Sequence, residues 1–100
     1  MIHGKRDANQ AVLTGYLEQC GWHVIDTADV GPNCIPGFPD ALAMCGGITV
    51  GVEFKVGGEG LTVSEGRFWE AHGYALPLEI VRDMDGVLAM TRKYFVGRVC

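Results

Sequence analysis

The stretch GFPDALAMCGGITVGVEFK, residues 37–55, decides how this chain is read. Gly46-Gly47 is a strong turn signal between two short apolar runs, ALAMC and ITVGVEFK, and predicts a β-hairpin. Strand alternation then puts Val50, Val52 and Phe54 on one face and Gly51, Glu53 and Lys55 on the other. The hairpin folds the start of its first strand back on the end of its second, which brings Asp40 toward Glu53. Convergent carboxylates repel each other unless something positive lies between them.

Mg²⁺ or Mn²⁺ suits such a pair, because hard divalent ions take carboxylate, carbonyl and water oxygens and often use only one or two protein carboxylates beside a substrate phosphate. The backbone carbonyl of Phe54 is placed in sequence to be a third ligand. Lys55 shares the face of Glu53, about 6.6 Å along the strand. Its cation can orient or activate a water, or neutralise charge that develops on a phosphoryl group. These are the requirements of phosphodiester hydrolysis, and Gly51 on the same face leaves no side chain to obstruct a phosphate backbone. The plainer reading makes Glu53 and Lys55 a weak ion pair on a solvated face.

Outward from the hairpin, residues from about 7 to 20 have helical periodicity, with Ala8, Ala11, Val12, Tyr16 and Leu17 in an apolar stripe, Leu13 and Cys20 at its margins, and Gly21 as a stop. WHVIDTA reads as a strand and DVGPNCIPGFP as a long loop. After the hairpin, VGGEG is a second loop. Thr62-Val-Ser-Glu65 is a capping box that opens a helix over residues 63–72, packing through Phe68, Trp69 or both. ALPLEIVR is the next strand, with Pro77 favouring an edge position or a late start. Asp83 begins a last helical segment with Val87, Leu88, Met90 and Thr91 as its stripe, and FVGRVC is either its end or a small extra strand. The order helix, strand, hairpin, helix, strand, helix belongs to a mixed α/β domain spanning residues 1–100.

Composition agrees. The chain is 48% hydrophobic and 20% charged, too apolar for disorder, and it has no run long enough to span a membrane. The opening MIHGKRDANQ lacks the features of a secretory signal, so the expected location is the cytoplasm of a bacterial or phage-infected cell. Cys20, Cys34, Cys45 and Cys100 show no metal-knuckle spacing and are expected to be reduced thiols. His3, His23 and His72 form no zinc signature. A net charge of -4 argues mildly against indiscriminate nucleic-acid binding, although acids gathered around a bound cation would not count against it.

Pro39-Asp40 with Glu53-Phe54-Lys55 resembles the signature of the PD-(D/E)xK nuclease superfamily, and more closely its small phage-type VRR-NUC or Holliday-junction-resolvase-like members. RDANQ, LTVSE, the aromatic pair Phe68-Trp69 and EIVRDMDGVLAM look like further segments of that group, and together they cover about residues 5–90. The resemblance implies a restriction-endonuclease-like core, a small mixed sheet flanked by helices. It implies a metal-dependent DNA endonuclease with Asp40 and Glu53 on Mg²⁺ or Mn²⁺ and Lys55 catalytic. It further implies a homodimer acting on duplex DNA or on branched DNA such as four-way junctions.

Some positions keep more than one reading. Asp7 is either a further metal ligand or a helix cap, and Asn9 or Gln10 lines the site. Glu65 either completes the capping box or also meets Lys55 or a metal-bound water. Lys5, Arg6, Arg67, Arg92 and Lys93 are candidate contacts to the DNA backbone. A noncatalytic nucleic-acid-binding or assembly module on the same fold is the alternative function.

Overall fold

Among the described residues, three α-helices and four strands follow one another in the order α1 (Lys5–Gln19), β1 (His23–Asp26), β2 (Ala41–Cys45), β3 (Ile48–Phe54), α2 (Val63–His72), β4 (Leu78–Val81) and α3 (Met84–Phe95). The computed structural model describes residues 5–29 and 35–95, with side chains over 8–28 and 35–95. The expectations for Asp7, Lys5 and Arg6 side chains, for His3, Cys34 and Cys100, and for the tail beyond Phe95 lie outside the described residues. The molecule is a small mixed α/β domain, a four-stranded sheet flanked by three helices.

The hairpin forms where its glycines require it. Gly46 and Gly47 have φ of 57° and 84°, the paired left-handed conformation of a two-residue loop that only glycine adopts without a steric penalty. The turn sets the register Cys45↔Ile48 through Ala41↔Val52. On its other edge β2 pairs antiparallel with β1, ending at Asp26↔Ala41, while β3 pairs in parallel with β4. Chain connectivity from β3 to β4 therefore passes through α2, as a parallel pair demands.

β4 lies at the edge of the sheet and starts one residue after Pro77, whose carbonyl accepts from Gly51 N at 2.8 Å. β1 is shorter than expected at both ends. Trp22 precedes it and is buried, its Nε1 donating to Thr91 Oγ1 at 3.0 Å. Thr27 leaves it for a short 3-10 turn over Thr27–Asp29.

Leu13 and Leu17 of α1 and Val87 and Met90 of α3 pack with Ala41, Ala43, Val50, Val52, Phe54 and Val81 into one apolar cluster. Leu88 and Thr91, also expected in the α3 stripe, are half-buried. Asp83 caps α3, accepting the Gly86 amide at 2.8 Å, so Gly86 does not break that helix. Across the sheet lie α2 and residues 35–39, joined by the edge-on rings of Phe38 and Phe68 at 5.3 Å.

Three expectations need correction. Ala8, Ala11 and Val12, expected in the α1 stripe, are exposed, and Leu13 is buried with Leu17 instead. Gly51 was expected to leave room for a phosphate backbone, but a Cβ there would meet Leu78 Cδ2 at 2.7 Å and Pro39 Cγ at 2.8 Å, so the space is filled by packing. Cys45 was expected to be a reduced thiol and is disulfide-bonded; Cys20 is the free cysteine among the described residues. Widely spaced cysteines carry no sequence signal of which ones meet. Among the described residues no helix is long and apolar enough to cross a membrane.

Candidate metal centre

The hairpin register ends at Ala41↔Val52, and one further step sets Asp40 opposite Glu53. The same step beyond Asp26↔Ala41 sets Thr27 opposite Asp40 on the other side. Thr27 anchors this row: its Oγ1 donates toward Pro39 O at 2.6 Å and Asp40 O at 3.0 Å, and its amide donates to Asp40 O at 3.1 Å. The Asp40 side chain turns toward β3, where Oδ2 accepts the Phe54 amide at 2.8 Å. Thr27 was not foreseen as a positioning residue. The only signal for it in the sequence is its place just after β1, legible once the register is known.

Glu53 and Lys55 are 0% and 1% exposed. A solvated surface pair is therefore excluded. Among the described residues no hydrogen-bond donor reaches either Glu53 oxygen, a state that is expensive for a buried carboxylate. Burial foremost, then the charge of Asp40, then that of Glu65, push the Glu53 carboxyl up to about 8, against a smaller opposing pull from Lys55.

Lys55 turns to α2 instead. Its Nζ lies 2.5 Å from Glu65 Oε1, and that same oxygen accepts the Thr62 amide at 2.8 Å. Glu65 N returns a bond to Thr62 Oγ1 at 3.2 Å, completing the capping box. Partial burial alone would push the Glu65 carboxyl up, but the bonds from Lys55 and Thr62 and the Lys55 charge hold it below its ordinary value. The two readings of Glu65 are thus both realised in part, since it caps α2 and meets Lys55.

The α1 residues approach from the other side. Asn9 Nδ2 donates to Lys55 O at 3.4 Å, which puts Asn9 at the margin of the site. Gln10 Nε2 donates to Asp26 Oδ2 at 3.4 Å, so Gln10 joins the β1 carboxylate rather than Asp40 or Glu53.

The proposed DNA-contact residues are dispersed. Arg67 is exposed on α2. Arg92 and Lys93 ride on α3, the layer across the sheet from Glu53, and Lys93 Nζ pairs with Glu79 Oε2 at 2.7 Å. Tyr94 also donates to that oxygen, at 2.6 Å, while standing edge-on to Trp22. Burial, and then that Glu79 contact, push the Tyr94 hydroxyl up to about 12. Arg82 Nη1 donates to Gly57 O at 2.8 Å and ties down the loop after Lys55.

Among the described side chains, Glu53 and Glu65 both neighbour the Lys55 ammonium, and Asp40 lies beside Glu53. Among the described residues no group of three or more His, Cys, Asp or Glu side chains is arranged to hold a metal by itself. Asp40 and Glu53 with the Phe54 carbonyl offer the smaller all-oxygen set that Mg²⁺ accepts when substrate and water complete its shell. Desolvation and the neighbouring carboxylates destabilise the Glu53 anion, and a divalent charge held there would offset both. No family model matches the chain, and neither a curated protein nor a solved structure matches it.

Proposed function

We propose that this protein is a divalent-metal-dependent endonuclease that hydrolyses DNA phosphodiester bonds. The observation that carries the proposal is Glu53, a fully buried carboxylate with two unpartnered oxygens, one register step from Asp40 and two residues from a buried lysine. The element order and mixed sheet support a restriction-endonuclease-like core of the PD-(D/E)xK kind.

Asp40, Glu53 and the Phe54 carbonyl would hold Mg²⁺ or Mn²⁺, with Asp7 as a further candidate ligand. Bound there, the ion supplies electrophilic polarisation of the phosphate and acidification of water. Lys55 directs its ammonium at the negative charge that grows on phosphorus oxygens, where a buried cation acts more strongly than a solvated one. Asp40 is held in place by Thr27 and the Phe54 amide, and Lys55 by Glu65. Such preorganisation lowers the reorganisation needed at the moment of reaction.

A chain of this size has a short DNA footprint, and a homodimer would pair two centres across a branched substrate such as a four-way junction. The compartment that goes with this reading is the cytoplasm of a bacterial or phage-infected cell. The Lys55–Glu65 pair favours a second reading, a noncatalytic nucleic-acid-binding or assembly module whose lysine serves only structure.

A cleavage panel of duplex, single-stranded, flap and four-way DNA with Mg²⁺ or Mn²⁺ separates the two. The enzyme reading expects metal-dependent scission that Lys55→Ala lowers by about 10²–10³-fold. Binding without scission under every condition supports the second reading, and neither binding nor scission rejects both.

A further inference from the structure

Glu65 is not the one carboxylate near Lys55. Glu53 sits two residues away on the same strand face, about 6–7 Å along the backbone and within the span of a lysine side chain, yet both its oxygens are left unpaired while Nζ bonds Glu65. Glu65 is not a mobile surface acid: only 14% of its side chain is exposed, and the bonding oxygen is also fixed by the Thr62 amide. The start of α2 is itself anchored, since Gly37 packs so closely that a Cβ there would lie 2.1 Å from Ser64 O. The acceptor for Lys55 is therefore built into the helix cap.

We propose that Glu65 is a positioning residue that holds Lys55 away from Glu53 and so keeps the Glu53 carboxylate open to a divalent cation. Without Glu65, the ammonium, 1% exposed and deprived of its partner, has Glu53 as an alternative counterion. A buried charge is strongly driven to pair. Lys55 would then occupy the Glu53 oxygens as an internal substitute for the metal. The capping box and the active strand are coupled through one oxygen atom.

This inference rests on the cation-site reading given above, and Mn²⁺ titration by calorimetry tests each separately. Glu65→Gln keeps an oxygen able to accept the Thr62 amide, and Lys55→Met keeps the buried stem. In the otherwise unchanged protein, Glu65→Gln weakens Mn²⁺ binding by about tenfold or more. With Lys55→Met already present, the same change leaves the affinity where it was. Thr62→Ala, which weakens the cap while leaving the Glu65 charge, lowers thermal stability but retains Mn²⁺ affinity.

An equal loss in both lysine backgrounds would reduce Glu65 to a nearby negative charge. Undiminished binding by Glu65→Gln, or equal loss with Thr62→Ala, would overturn the inference while leaving the cation site standing. No Mn²⁺ binding by the unaltered protein would overturn both.

Discussion

The two faces of β3 are equally dry and chemically opposite. Val50, Val52 and Phe54 are 0–2% exposed against α1 and α3, and Glu53 and Lys55 are 0–1% exposed against α2 and its approach loop. On the apolar face burial is its own stabilisation, about 25 cal/mol for each Å² removed from water. On the polar face burial destabilises, and only the Lys55–Glu65 pair offsets it within the described side chains. A strand that is neutral in stability on neither face is informative: the apolar side specifies the fold, and the polar side holds a charge arrangement that folding alone would not favour.

The sharpest way to break this comparison is to exchange roles across the strand. Glu53→Gln should reduce metal-dependent cleavage to background while the domain stays folded; turnover near that of the unaltered protein, measured on the same DNA panel, would end the assignment. Phe54→Ala should do the reverse to the scaffold. It removes about 3–5 kcal/mol of unfolding free energy, measurable by urea denaturation, whereas Glu53→Gln leaves stability equal or higher at pH 8.

The polar face should also show in pH dependence. Glu53 takes up protons more readily folded than unfolded, so it stabilises fully below about pH 4.5 and loses that contribution as pH rises toward about 8. Glu65 acts in the opposite sense, because its lowered value contributes stability that is lost as pH falls. Metal-free protein should therefore lose Tm across the upper window, and Glu53→Gln should flatten that slope; a slope unaltered by the substitution would count against a strained Glu53. The smallest effect belongs to the cap, where Thr62→Ala should cost about 1 kcal/mol by the same denaturation assay.

What was legible in the sequence follows local rules. Gly46-Gly47 and the alternation around it specify the hairpin, and Thr62 to Glu65 specify the start of α2, because turns and caps involve residues three or fewer apart. Glu53 and Lys55 could be read as site residues, but an alternating strand looks the same whether its polar face meets water or a helix. Their burial becomes visible only when α2 and residues 35–39 are in place. The Lys55–Glu65 bond joins two elements across ten positions, and the Thr27–Asp40 anchor joins two strands across thirteen. Contacts of that separation have no periodic signature. Gly51 illustrates the same limit: its glycine was legible as a close approach, but the approaching groups are Leu78 and Pro39 rather than a ligand.

The central claim is that Asp40 and Glu53 form a cation site, and thermal unfolding near neutral pH with and without Mn²⁺ tests it most directly. Binding to the folded state alone raises Tm in proportion to the logarithm of ion concentration. The unaltered protein should show that rise and Glu53→Gln should lose most of it. A Tm indifferent to Mn²⁺, or an equal rise in both proteins, would contradict the claim.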